Sequence, residues 1–509
     1  MVIGYLGFLG YRKTTGAADY LVAGRQIHPY VMAISYGATF ISTSAIVGFG
    51  GAAGRFGMGL LWLTFLNILV GIYIAFVVFG NRTRIMGYHL DAHTFPELLG
   101  KRYQSKFIQV FAGAIIFIAM PLYAGVVLIG GARFIEANLG VNYEVSLLVF
   151  SIIIAAYVIA GGLKGVMYTD ALQGTIMFIG MTILFIFTYS KLGGFSVAHQ
   201  ALSDLADKVP ENLQKLGHLG WTSMPAFLSV YWWVLVSTIV LGVGIGVLAQ
   251  PQLVVRFMTV KSRRELNRAV FVGGIFIFMM TGVAFVVGSL TNVYFFQEHG
   301  QVALDFAGGN HDKIIPLYIS EAMPHWFGLV FMLTLLAAAM STLSSQFHAM
   351  GAALSRDIYE QVSSSRGKTV LLARWSILIG IIIVVILGYY LPGNIIAPGT
   401  AIFFGLCASC FLPMYGLGLY WKRATPAAAK TGMVVGFFGS VFYLLFIHSA
   451  ESAKLGLCKL LTGNPSLAGF PWIVVDPILV IFPLTLVITV VMSLVTRPPD
   501  EEHINKCFR

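Results

Sequence analysis

Charge is what this chain has least of: Asp, Glu, Lys and Arg together make up 10 % of 509 residues. A soluble domain of this length needs roughly a quarter of its residues charged to solvate its surface, so a water-soluble enzyme, a coiled coil and a disordered protein are excluded. Cysteine is scarce as well. Cys407, Cys410, Cys458 and Cys507 form no disulfide framework. The CxxC of Cys407 and Cys410 lies inside an apolar stretch, where thiols one turn apart read as packing residues. HExxH, a nucleophile elbow, a Walker loop and a paired-carboxylate constellation are all missing, which argues against an enzyme and against an ATP-driven pump. No cleavable signal is evident. The first apolar run, residues 1–11, is shorter than the roughly 20 residues that cross a bilayer and reads as a partial helix or as the end of one that starts upstream.

What is abundant is apolar. Hydrophobic residues make up 58 % of the chain, with 39 Phe and 56 Gly, and mean hydropathy is +0.83. The long runs lack the strict alternation of an outer-membrane barrel, which leaves a polytopic helical bundle as the way to satisfy every backbone group in lipid. A window of about 19 residues predicts full spans near 30–52, 60–80, 107–130, 144–162, 170–190, 226–250, 269–290, 325–350, 369–390, 399–421, 430–448 and 472–496. With the stub that makes about 13 transmembrane helices. Alternating them gathers most of the 32 Lys and Arg, including Arg84, Lys101, Arg102, Arg256 and Arg356, on one side. The positive-inside rule then places the N-terminus outside and the C-terminus inside a cell (cytoplasmic) membrane. The net charge of +11 is thus a topology signal, and no nucleic-acid partner is expected.

Two spans carry residues that invite a break. The first runs Gly37-Ala38-Thr39-Phe40-Ile41-Ser42-Thr43-Ser44 and continues to Gly48, Gly50 and Gly51; the sixth holds Gly242, Gly244 and Gly246 ahead of Gln250-Pro251. They lie five spans apart, so the second has the opposite orientation. Matching interruptions in two halves point to an inverted-repeat transporter with solute and ion sites beside the breaks, although glycines also permit close helix packing.

The eighth span carries the densest chemistry. Ser341, Thr342, Ser344 and Ser345 put four hydroxyls on one helical face. Hydroxyl and carbonyl oxygens are the hard, neutral ligands of a dehydrated alkali cation, and carbonyls freed near Ala38 and Ile41 would complete a shell; serines also bond back to their own helix. Asp170, near the inner start of the fifth span and followed by Gln173, is a costly intramembrane carboxylate and reads as an ion ligand, an N-cap or a partner of Lys164. Asp476 reads as interfacial. His348 reads as a hydrogen-bonded structural residue, with a proton carrier as the alternative. Trp232 and Trp233 read as an aromatic belt. No buried Arg or Lys is expected beside the cavity.

Several segments together resemble the sodium/solute symporter family, which includes the proline, pantothenate, sialic acid, monocarboxylate and sodium-glucose carriers. They are Tyr20-Leu21-Val22-Ala23-Gly24-Arg25, Gly161-Gly162-Leu163 with Thr169-Asp170 and Gln173, Gln250-Pro251 with Arg256 and Lys261, Ala338 to Gln346 with Asp357-Ile358-Tyr359, and Pro413, Gly416 and Trp421-Lys422-Arg423. The resemblance implies an all-α polytopic membrane protein with a five-plus-five inverted-repeat (LeuT-like) core and extra flanking helices. On that plan residues 1–29 form a partial helix and cytoplasmic loop, 30–190 the first repeat, 191–225 an outer loop, 226–423 the second repeat, and 424–509 two added helices and a tail. It also implies a sodium-coupled symporter, with no cofactor and one or two coupling Na+, importing a small organic solute by alternating access. A principal sodium site falls on Ala38, Ile41, Ala338, Ser341 and Thr342, and a second one on Asp170, Ser341, Ser344 and Ser345. The solute positions fall on Phe40, Ser42, Ser44, Asn67, Tyr123, Gly246 and Val247, where Gly246-Val247 departs from the bulky aromatic gate of several members. The alternatives are a proton-coupled transporter of the same fold, resting on Asp170 and His348, and a channel or sensor, which lacks repeated filter segments.

Overall fold

The computed structural model describes residues 5, 6, 12, 16–363 and 369–508, with the backbone alone at 17, 156–161 and 369. Most of the expected N-terminal stub lies outside the described residues. Helices are the only regular elements among those described, and ten are long and apolar enough to cross a membrane. Large apolar side chains such as Trp62, Phe65, Ile118, Ile152 and Leu333 stand exposed on the outside of the bundle, where lipid rather than water is their solvent.

The first span is broken. Helix α1 (Pro29–Phe40) starts with proline at its first turn, where the missing N–H costs nothing, and stops because Ile41 turns to extended values (φ −89°, ψ 97°). The chain resumes as a π-helical turn (Ser44–Gly48) and α2 (Phe49–Phe56). The break thus falls within the Gly37–Ser44 run, and glycines 48, 50 and 51 beyond it stay helical. They pack: a Cβ on Gly51 would sit 1.9 Å from the carbonyl oxygen of His311, so the loop holding His311 reaches the helix backbone only because that side chain is absent. Next come α3 (Leu61–Ile68), extended by a π-helical stretch, a short and largely buried helix α4 (Phe95–Arg102), and α5 (Lys106–Leu139). Ser105 caps α5, and Gly140 ends it in the left-handed conformation. Helix α6 (Tyr143–Lys191) joins the fourth and fifth spans through a kink at Gly162, whose φ of 58° glycine adopts freely.

The second break matches the first. Span α7 (Val230–Ala249) ends at Gln250, which is extended (φ −71°, ψ 116°), and α8 (Pro251–Phe257) restarts on proline. The glycine run 242–246 stays helical, so the interruption comes from the Gln-Pro step. Then follow α9 (Arg263–His299), α10 (His325–Ala352), α11 (Thr369–Tyr390), α12 (Ile396–Tyr420), α13 (Pro426–Phe446), α14 (Ile478–Val495) and a tail helix α15 (Glu501–Phe508).

The loops sort onto two faces as the alternation requires. Arg25 bonds the carbonyls of Gly87 and Ala92, Ile27 meets Thr259, Arg356 pairs with Glu97, and Arg102 bonds Gly418 while its own carbonyl meets His503 of the tail. At the other face, Trp221 and Asn292 bond the carbonyl of Gly54, and His311 meets Asn394.

Candidate ion and solute site

The broken end of α1 lies against α10. Ser341 Oγ donates to the carbonyl of Ala38 at 2.8 Å and approaches that of Ala338 at 3.1 Å, while Thr342 Oγ1 donates to Thr39 at 3.0 Å and reaches Ala38 at 3.5 Å. Ser341, Thr342, Ala38 and Ala338 are all fully buried. The structure thus brings together four of the five residues expected to hold the principal cation. Ile41 stands at the break itself, but the bonds of Ser341 and Thr342 run to Ala38, Thr39 and Ala338 instead. A hydroxyl that now donates can turn its lone pairs to a cation with the same carbonyls around it.

The second expected set assembles differently. Asp170 is neither an N-cap nor a partner of Lys164; it lies two turns past the Gly162 kink, fully buried, and Arg256 on α8 binds it, Nη2 to Oδ2 at 2.9 Å. Ser35 and Thr39 of α1 donate to the same oxygen at 2.8 and 3.2 Å. The guanidinium also donates to Ser35 (3.1 Å), Thr39 (2.5 Å) and Ser345 (2.7 Å), and to the carbonyl of Gln252. Ser344 turns away and donates to the carbonyl of Ser341 at 3.0 Å. No basic residue lines the solute positions, as expected; the second break aims Arg256 into the bundle elsewhere, where its guanidinium binds both Asp170 and Ser345 of the expected second set. Ser35 and Thr39 were missed, yet their spacing of four on α1 puts both on the face toward Asp170.

Phe40, Ser42, Asn67 and Tyr123 line one small cavity beside the Ser341 and Thr342 cluster, together with Thr281 and Phe404. It has about 20 Å³ of free space, room for one water molecule. Tyr123 meets Phe404 edge-on at 5.3 Å, and Phe40 stacks on Phe404 at 6.2 Å. Asn67 Oδ1 is buried without a partner, and no lining residue is charged. Three expected solute positions fall elsewhere. Ser44 is buried at the start of the π turn; Val247 packs against Gly71; and a Cβ on Gly246 would lie 2.4 Å from the carbonyl oxygen of Phe404. Gly246 is small because helix α12 crosses it, so it is no gate left open.

At the helix ends near α4 lies an ionic network. Glu97 pairs with Arg356 and Lys101, both at 2.9 Å, and Arg356 also pairs with Glu360. Burial would raise the Glu97 carboxyl, but His93, Arg356 and Lys101 outweigh it and hold it well below the usual range. Asp476, expected at the interface, is buried, and its backbone N–H bonds Ser237. His348 is buried against Tyr20.

The sodium:solute symporter family model matches residues 20–436. A sodium/proline symporter of Staphylococcus aureus (strain NCTC 8325 / PS 47) is 27 % identical over 99 % of this chain and 93 % of its own length. Among solved structures, an outward-open, substrate-bound Na+-coupled sialic acid symporter superposes with a TM-score of 0.76 at 19 % identity, over 98 % of this chain and 97 % of that one. MHP1, a nucleobase-cation-symport-1 family transporter in a closed conformation, gives 0.51 at 12 % identity, over 97 % and 99 %.

Proposed function

Because the chain belongs to the sodium:solute symporter family, and is thus a multi-pass sodium-coupled transporter and not an enzyme, we propose that it imports a compact, neutral or zwitterionic organic solute across the cell membrane by alternating access. The observation that carries this reading is the contact of Ser341 and Thr342 with the carbonyls at the broken end of α1. Those oxygens face each other only while α1 and α10 are docked, so an ion among them favours one arrangement of the helices. The solute cavity begins one residue later, at Phe40 and Ser42. Differential binding of the ion to one arrangement is therefore felt by the solute, and a coupling of about 1–3 kcal/mol is typical of linked sites.

The division into repeats at 30–190 and 226–423 and an N-outside, C-inside orientation belong to the same proposal, supported by the matching breaks and the sorting of basic loops. The uncharged, aromatic lining favours a solute the size of proline over a sugar acid. The relative transports proline by its name; here that is a proposal. Proton coupling through Asp170 is disfavoured because Arg256 already binds its carboxylate. Solute uptake into proteoliposomes tests the reading: the Ser341→Ala, Thr342→Ala double variant should insert normally but lose sodium-stimulated uptake at least tenfold. Unaltered sodium dependence refutes it.

A further inference from the structure

An open recess of about 290 Å³ runs along the outside of the bundle between Ile34 of α1, Gly174, Phe178 and Ile179 of α6, and Phe271 and Ile275 of α9. Its lining carries no charge, and the hydroxyl of Thr175, its one polar side chain, is spent on the carbonyl of Ala171 at 2.9 Å. Ile179, Phe271 and Ile275 stand exposed along it. The floor is closed because Gly174 lets α6 meet α1: a Cβ there would lie 2.5 Å from Ile34 Cγ2 and 3.3 Å from Ala38 Cβ. Both α9 and the part of α6 from Gly162 onward are long and apolar enough to cross a membrane, so hydrocarbon is what wets this recess.

One end of the recess is basic on both walls. On α9 the exposed Arg264 and Arg268 precede Phe271 and Ile275 at helical spacing, which puts all four on the face that lines the recess. On α6 Lys164, Tyr168, Ala171 and Thr175 follow a matching stripe that starts just past the Gly162 kink. At a rise of about 1.5 Å per residue, Lys164 lies roughly 15 Å before Gly174 and Arg268 roughly 12 Å before Phe276. Phe276 stands beside Gly174, so Lys164 and Arg268 flank the recess at one level, with Arg264 a turn beyond. Among the described residues none of these three cations has an ion pair or a hydrogen bond from its side chain. Topology alone asks for basic loops, but it does not ask for an apolar recess leading away from them on two helices. We propose that the recess seats one anionic phospholipid, its phosphate between Lys164, Arg264 and Arg268 and an acyl chain along Ile179, Phe271 and Ile275. The chain then packs against Ile34, one turn ahead of Ala38 at the broken end of α1.

Native mass spectrometry of the purified full-length protein reads lipid binding without recourse to uptake, so the site stands or falls apart from the proposed transport. Titrated with dipalmitoyl phosphatidylglycerol and, separately, with dipalmitoyl phosphatidylcholine, wild type should retain one phosphatidylglycerol at a half-saturating concentration at least tenfold below that of the choline lipid. The Arg264→Ala, Arg268→Ala variant should lose this preference. The Lys261→Ala, Arg263→Ala variant removes the same charge from positions off the recess face and should keep it. Thr175→Trp fills the recess from its exposed wall and should weaken phosphatidylglycerol binding at least threefold with all three cations in place. Equal retention of the two lipids, an equal loss in both charge variants, or no effect of Thr175→Trp overturns the site. Should the Arg264→Ala, Arg268→Ala protein not be monodisperse, Lys164→Gln is read instead: a threefold or greater weakening supports the site, and no change overturns it.

Discussion

Removing one partner of the Arg256–Asp170 pair should cost far more than removing both. Arg256 makes five hydrogen bonds inside the bundle, to Ser35, Thr39, Ser345, Asp170 and the Gln252 carbonyl. Both side chains are fully buried. Arg256→Gln leaves Asp170 as a bare carboxylate, and Asp170→Asn leaves the guanidinium without its counter-charge. Breaking a buried pair from one side costs about 3–5 kcal/mol. Neutralising both leaves polar groups that can bond each other, so the double variant should recover about 2–3 kcal/mol of the summed single effects. Size scaling gives roughly 1–2 °C per kcal/mol for a chain of this length. Each single variant should therefore lower the apparent Tm in detergent, followed by tryptophan fluorescence, by about 3–10 °C, and the double variant by clearly less than their sum. Single effects below about 1 kcal/mol that add within about 0.5 kcal/mol would refute the claim that the two charges depend on each other.

Other expectations follow from the same geometry. Gly246→Leu should abolish uptake and lower Tm, because even the first carbon meets the Phe404 carbonyl; overpacking of this kind costs about 1–3 kcal/mol or more. In the loop between α9 and α10, burial pushes His311 down to about 3 and Asp312 up to about 6, and the two act on stability with opposite signs. A depressed histidine stabilises fully above its unfolded value and loses that as pH falls. A raised aspartate stabilises fully at low pH and loses that as pH rises through 6. Asp312→Asn should thus lose Tm between pH 7 and pH 5, while His311→Asn should gain it; the same slope in both variants would contradict the assignment.

Much of the candidate ion site was legible because it depends on local sequence. Four hydroxyls within five residues of an apolar span, and a Gln-Pro step five spans after a run of small and hydroxylated residues, have few other uses in lipid. The second set was not legible. Arg256 counted among the inner-loop basic residues, and the restart of the helix at Pro251 is what turns it inward. Gly246 misled for a related reason, since a glycine left open for a solute and a glycine crossed by another helix look alike until α12 is in place.

By itself the chain determined the solvent, the all-helical membrane class, the two breaks and the oxygen-rich face of α10, since each follows from hydropathy or from backbone chemistry over a few residues; the expected count of about 13 spans is not matched one for one by the ten long apolar helices among the described residues. Tertiary structure alone decided which oxygens meet. Asp170 and Arg256 are 86 residues apart in sequence, and Thr94 and Asp357 are 263 apart; no local rule relates them. In a low-dielectric interior the partner a charge finds decides whether it is free to meet an ion or is held in a pair, and the packing of non-adjacent helices supplies that partner.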